Sequence, residues 1–443
     1  MLREALIFLG TALFSSSLYA QSDSQFFKAV QRGKVAEVSS FLEVNSDVLD
    51  RTSSEGWHAV HVAALADKDK LIPVLVGAGA NINQRGLEEA TALEIALRHR
   101  TDKTFHAILQ AGADTEIRNK HGATPAQLAA YVGDHGKLEL LALYEADLDS
   151  TTKNGHTPLQ LAAAEGYLES VKVLVKSGAG INTYTDTMAT PIHVAVASKE
   201  KRIVKYLLSE GADSNLISPA AGLSPLQFAV NKCDTGMIST LLEGGANPNL
   251  KNSEGNTALH IAVQFDCEKA LASLIKAGGD IQEKGEYDGT LMHFVASTSM
   301  IKQLVKLGVP IDEVTSQGAT PLAIAVANGQ KRTASEFIKR GANVDARMYN
   351  GNLPIHLAVE KGETAIIEML VKHGSALNEL GKQGLTPLMI ASAKGDMSTV
   401  QLLLAARAES NVISKEGYTA YDYAVSYGNT DIALYISDAA SSD

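Results

Sequence analysis

Five histidines recur at one place in a repeating segment: His61, His193, His260, His293 and His356. A ladder of imidazoles is the residue pattern most open to a metal or proton-transfer reading. Gln127, Gln160 and Gln227 occupy the same place in sister segments, an exchange that a metal site does not tolerate. The two cysteines, Cys233 and Cys267, are too few for a disulfide scaffold and too far apart in sequence for a zinc ligand pair. No Gly-x-Gly-x-x-Gly after a strand, phosphate loop, Gly-x-Ser-x-Gly elbow or His-Glu-x-x-His motif occurs. Carboxylates such as Glu165, Glu169 and Glu363 fall in turns and on helix surfaces, where a charge is ordinarily solvated. Nothing converges on a catalytic centre, so no catalytic residue, metal or cofactor is expected.

The elements that would position these groups are bounded by composition. The chain has 443 residues, 45% hydrophobic, 20% charged and only 5% aromatic. This excludes a disordered acidic chain, a collagen-like repeat and a polytopic membrane protein. With few large side chains, the core must be built from Leu, Ile, Val and Ala, which favours closely packed helices. The 39 Lys and Arg against 50 Asp and Glu give a net charge of -11. With no basic run interleaved with aromatics, nucleic acid is not an expected partner.

Residues 1–20 place Arg3 before an apolar run from Ala5 to Phe14 and end on small residues at Ala20. That layout reads as a secretory signal peptide, and the run is shorter than the roughly 20 residues that span a bilayer. An uncleaved anchor is the alternative. No membrane span is expected after cleavage, and the mature chain is expected in the periplasm or outside the cell.

The rest is periodic. Segments related to HTPLQLAAA at His156 start near Trp57 and recur to Tyr418, with the threonine-equivalent positions at 58, 91, 124, 157, 190, 224, 257, 290, 320, 353, 386 and 419. Nine of the eleven intervals are 33 residues, and the exceptions are 34 and 30. The fourth residue after each of these positions is apolar, and the fifth is alanine in eleven of twelve. A second apolar cluster follows with i, i+3, i+4 spacing, as in Val171 to Val175. Each unit therefore reads as helix, turn, helix, with Thr-Pro opening the first helix and glycine closing the second. The unit at Thr290 lacks three residues near Ser297 to Met300, and the loop near Ile217 to Ala221 carries one extra.

The chain thus resembles the ankyrin repeat family, whose Thr-Pro-Leu-His signature stands here as Thr190, Pro191, Ile192 and His193. The resemblance implies an all-α ankyrin-repeat solenoid of about twelve helix-turn-helix units plus an N-terminal capping helix pair. The organisation expected is a signal peptide at 1–20, capping helices at 21–56, and the repeat array at 57–443 with a C-terminal capping repeat. It further implies that the ladder histidines hydrogen-bond adjacent turns. Stacked units hold equivalent atoms about 10 Å apart, so one zinc ion could not join successive histidines. The same separation exceeds the about 7 Å that a disulfide tolerates between α-carbons. Unbridged packing of Cys233 and Cys267 is expected, with an oxidising compartment keeping the bridge open as the alternative. Cys233 replaces a glycine of other units, so its turn is expected to be adjusted.

Proteins of this kind hold partners against the first helices and projecting loops. The side chains there least explained by core packing are Arg98, Tyr131, Lys232 and Phe265 on the helices, and Tyr184, Tyr287 and Tyr349 at loop tips. Aromatic and arginine side chains carry much of the energy of protein interfaces. The expected function is binding of another protein, as a scaffold, inhibitor or toxin-neutralising factor, by a monomer. Two alternatives stay open: a secreted effector binding a host protein, and an enzyme or small-ligand-binding protein using the irregular region 233–300.

Overall fold

The structure is a computed structural model that describes residues 21–52, 57–183 and 189–441. The expected signal segment at 1–20 lies outside the described residues, as does Tyr184. Among the described residues there are 25 α-helices and four short 3-10 helices, and no strand. Contacts divide them into two compact units. One runs through Phe228 and includes Glu243–Gly245, and the other comprises Ala229–Leu242 and the chain from Ala246 onward.

Within each unit the helices come in pairs of one design. In the first unit Thr157 caps the helix Pro158–Ala164, with proline at its first turn. A second helix, Leu168–Lys176, follows. Like packs on like: Pro158–Ala164 lies against the first helices Pro125–Val132 and Pro191–Ala197, and Leu168–Lys176 against His135–Leu143. The second unit repeats this with first helices at Pro321–Ala327, Pro354–Lys361, Pro387–Lys394 and Ala420–Ser426. The near-invariant alanine explains the close approach, since Ala162, Ala195, Ala358 and Ala391 are fully buried and present only a methyl group to the neighbour. The first unit begins with Gln21–Arg32, which packs on Val35–Val44 and on the helix Ala59–Leu65 through buried Phe26, Phe27 and Val30.

Successive pairs are tied by side chains that accept from the backbone one repeat further on. Asn83 Oδ1 accepts from the Asp114 N–H at 2.8 Å, Asp149 Oδ1 from Gly180, Asn249 Oδ1 from Asp280 and Asn378 Oδ1 from Glu409. These side chains satisfy turn donors that no helix can reach. Arg118 adds a second tie, donating to the carbonyls of Gly122 and Thr151, each at 2.8 Å.

Both irregularities fall where the spacing places them. The unit at Thr290 replaces its first α-helix by a 3-10 turn, Leu291–Phe294, and resumes with the helix Thr298–Lys306. The missing residues are thus taken from the first helix as well as from the loop behind it. The extra residue widens a tip: the Ser218 N–H donates to Leu223 O, five residues on, whereas Asn119 and Thr152 reach carbonyls four residues on.

The cysteine expectation is overturned. Cys233 and Cys267 form a disulfide, with α-carbons 5.6 Å apart. Their places are offset by one residue, nine after Ser224 and ten after Thr257, and at that offset neighbouring repeats approach closely. A Cβ on Gly133 would stand 2.7 Å from the Tyr167 ring, one on Gly329 2.7 Å from Glu363 Oε1, and one on Gly395 2.9 Å from Asn429 Oδ1. In the same register the Thr101 hydroxyl donates to Asp67 Oδ2 at 2.9 Å. The spacing of helix axes does not govern these turns. Nor is the turn at Cys233 adjusted: it keeps the left-handed backbone of the glycines, at φ 51°.

Candidate functional site

Four of the five imidazoles are brackets between a cap and the next loop, and His260 meets the N–H and hydroxyl of its own cap, Thr257. In the first unit His193 Nδ1 meets the Thr190 hydroxyl at 2.7 Å, and its Nε2 donates to Leu223 O at 3.1 Å. His61 accepts from the His58 N–H and donates to Gln84 O at 2.9 Å. In the second unit His293 accepts from the Thr290 N–H at 3.0 Å and donates to Ala319 O at 3.1 Å. His356 accepts from Leu353 and donates to Glu379 O. Glutamine does the same work with an amide: Gln127 Oε1 accepts from the Thr124 N–H and Nε2 donates to Ser150 O. Burial pushes His61, His193 and His260 down to about 4, and it lowers His293 and His356 as well. They are neutral near pH 7, the form in which one ring nitrogen accepts while the other donates. Among the described residues no group of three or more His, Cys, Asp or Glu could hold a metal ion.

The interaction candidates separate by burial. Arg98 is half-buried, and burial lowers its pKa against the pull of Glu94 and Glu88. Tyr131 is also half-buried, near the end of Pro125–Val132. His99, beside Arg98, is committed to the Ala64 carbonyl of the preceding pair. Lys232 is exposed just past Pro225–Asn231.

The remaining three stand out in the second unit. Phe265 follows the helix Ala258–Gln264 and is 49% exposed. Its carbonyl lies 3.6 Å from Cys267 Sγ, so the disulfide holds the backbone at its foot. Tyr287 and Tyr349 are 60% and 73% exposed on tips tied through their main chains. The Ser316 N–H donates to Tyr287 O at 2.8 Å, and the Tyr349 N–H to Gln317 O at 3.4 Å. The Tyr349 ring lies over Gly318, where a Cβ would come within 2.7 Å of it. Large apolar side chains are presented on an ordered backbone, which lowers the entropy lost on binding.

Sequence reasoning passed over a groove further along the same unit. It has a volume of about 470 Å³ and lies between the tips at Asn350–Asn352 and Lys382–Leu385 and the first helices behind them. Leu357, Ile390, Tyr423 and Tyr427 line it, with Lys382 and Lys394 beside them. The signal was present in the sequence, since Leu357, Ile390 and Tyr423 share the apolar fourth place after positions 353, 386 and 419.

A family model described as Ankyrin repeats (3 copies) matches residues 93–185, 126–218, 192–285, 291–380 and 373–442. Repeats of this family generally mediate protein–protein interaction. No curated protein matches the chain.

Proposed function

The chain belongs to the ankyrin repeat family, and on that premise we propose that it is an exported protein that binds another protein through its first helices and loop tips. Its mechanism is preorganised surface complementarity, serving as a scaffold, an inhibitor or a toxin-neutralising factor, with no chemistry of its own. The observation that carries this reading is the presentation of Phe265, Tyr287 and Tyr349, largely solvent-exposed, on backbone tied by a disulfide or by loop-to-loop hydrogen bonds. Such side chains stabilise no core and fit the aromatic anchors of interfaces. Export is supported by the charged-then-apolar order of residues 1–20 and by the Cys233–Cys267 bridge, because such bonds persist in oxidising compartments.

In vivo crosslinking with mass spectrometry of the captured species tests the reading. The variant Phe265→Ala, Tyr287→Ala, Tyr349→Ala is expected to keep its helical content and melting behaviour while losing capture. Undiminished capture by the folded triple variant would remove these residues from the site. Fractionation assigns the compartment: a mature form confined to the periplasm rules out a secreted effector, and a cytosolic, reduced protein rules out export.

A further inference from the structure

The last three repeats carry charge and apolar surface in a combination that narrows the partner. The groove lined by Leu357, Ile390, Tyr423 and Tyr427 is fringed by two ammonium groups. Lys394 Nζ donates to the carbonyls of Val359 and Glu360, at 3.1 and 2.7 Å. This pins the charge at the end of the helix Pro354–Lys361 and leaves one N–H unused. Lys382 is exposed on the opposing tip, with its backbone fixed by its N–H to Asn352 Oδ1 at 2.7 Å. Neither ammonium has a carboxylate partner among the described residues. Glu360 lines the same groove, and the charge of Lys394 acts on Asp396. Glu360 Oε1 accepts from Asn352 Nδ2, and the Tyr423 hydroxyl donates to Glu416 and lies 3.2 Å from the Ser414 hydroxyl. In a chain of net charge -11, a groove whose charged lining is two lysines and one glutamate, around an apolar floor, is a local inversion of sign.

Resting on the protein-binding reading above, we propose that this groove takes an extended acidic peptide segment with one aliphatic or aromatic anchor. The anchor sits on Leu357 and Ile390 between the tyrosines, and the carboxylates meet Lys382 and Lys394. Charge complementarity at the rim sets register and attraction, and burial of the anchor supplies most of the affinity.

The test uses the full chain and a random short-peptide library displayed on phage. Selected peptides are expected to carry Asp or Glu on either side of one large apolar residue, and their binding is expected to weaken as salt rises. Lys382→Glu, at an exposed side chain outside the packing, is expected to weaken them about tenfold. A peptide with Lys in place of the matching acid is expected to restore binding to that variant. Neutral or basic selected peptides, binding indifferent to Lys382→Glu, or equal binding of a single-stranded oligonucleotide would each overturn the proposal. Failure to select any peptide, by a protein that still captures its partner on crosslinking, overturns this inference alone. Failure of both experiments removes the protein-binding reading with it.

Discussion

The repeats beginning at Thr157 and Thr290 build the same joint from different lengths of chain. The first has a seven-residue α-helix, Pro158–Ala164, opened by Thr157 with Gln160 reaching back to the cap N–H at 2.9 Å. The second has a four-residue 3-10 turn, Leu291–Phe294, yet Thr290 and His293 form the same reciprocal cap, and His293 still reaches forward to Ala319 O. Its second helix, Thr298–Lys306, has the nine residues of Leu168–Lys176. Half of a first helix is therefore expendable, whereas the bracket from cap to next loop is retained. The loss falls where the neighbour can make it good: the Ser297 and Ser299 hydroxyls donate to Asp266 and Glu268 of the preceding repeat.

If the bracket is the essential part, removing it should cost as much in the short repeat as in the full one. Gln160→Leu strands the Thr157 N–H and removes the bond to the Ala189 carbonyl, and His293→Leu strands the Thr290 N–H and removes the bond to the Ala319 carbonyl, which keeps the one from the Thr315 N–H. At about 1–3 kcal/mol for the stranded donor and about 0.5–1.5 kcal/mol for the lost forward bond, either variant should lose about 3 kcal/mol of local stability. Hydrogen exchange repeat by repeat is the appropriate measure, because arrays of this kind open by parts. A loss confined to Gln160→Leu would show that the short repeat is held by something other than its bracket.

The disulfide sharpens the comparison from the other side, because it replaces a weaker tie found at the same register elsewhere. Closing a loop with a sequence separation of 34 is worth about 4 kcal/mol in the chain-entropy account. Reduction, or Cys233→Ser with Cys267→Ser, should lower protection in the helices Thr235–Glu243 and Glu268–Lys276 by about that amount. The hydroxyl-to-carboxylate tie from Thr101 to Asp67 is indifferent to reductant, so the helices Leu71–Gly77 and Lys103–Gln110 should be unmoved. Equal loss in both places would mean that the bridge stabilises the chain globally.

The helix pairs, their order and the two irregularities were legible in the sequence because each rests on local chemistry repeated many times. Threonine before a helix, alanine at the packing face and glycine after the turn each have a mechanism that needs no knowledge of the neighbour. The disulfide was not legible from helix spacing, because turns nine and ten residues after the cap approach more closely than helix axes do. The clue lay in the composition of that register: glycine at 133, 166, 329 and 395 marks a place where a Cβ meets the next repeat. Of the candidate site, Phe265, Tyr287 and Tyr349 were visible as large side chains outside the apolar pattern. The groove near Leu357 was hidden because its floor uses the same apolar position that elsewhere reads as core.

Acid should separate histidine brackets from glutamine brackets. His61 and His193 sit near 4 in the folded chain against about 6.5 when unfolded, so between those values the unfolded chain binds more protons. Stability therefore falls as pH drops from about 6.5 towards 4, by about 1.4 kcal/mol per pH unit for each imidazole at full slope. Between pH 6.5 and 5 this amounts to about 2 kcal/mol in a repeat held by one histidine. Gln127 and Gln160 do not titrate, so the helix Pro125–Val132 should keep its exchange protection and Pro158–Ala164, preceded by His156 whose pKa burial also lowers, should lose less than Ala59–Leu65 and Pro191–Ala197. A uniform loss across all four would assign the acid sensitivity to surface carboxylates instead.

The smallest effect concerns the backbone at the register the disulfide occupies. Asp67, Lys199 and Cys233 hold φ of 54°, 62° and 51° where Gly133 and Gly166 stand in sister repeats. Asp67 is retained through its hydroxyl ties and Cys233 through its bridge. Lys199 has a left-handed backbone and an exposed side chain, with no comparable tie among the described residues. Lys199→Gly removes a steric cost of about 1–2 kcal/mol and adds back about 0.5–1 kcal/mol of unfolded-chain entropy. A gain of about 0.5 kcal/mol in the helix pair Pro191–Ala197 and Lys201–Ser209 is expected, read as slower amide exchange. Asp67→Gly relieves the same strain but loses both hydroxyl contacts, so it should be neutral or destabilising. If the two substitutions moved stability equally, the side-chain tie at this register would contribute nothing, and the bridge would have to be explained without it.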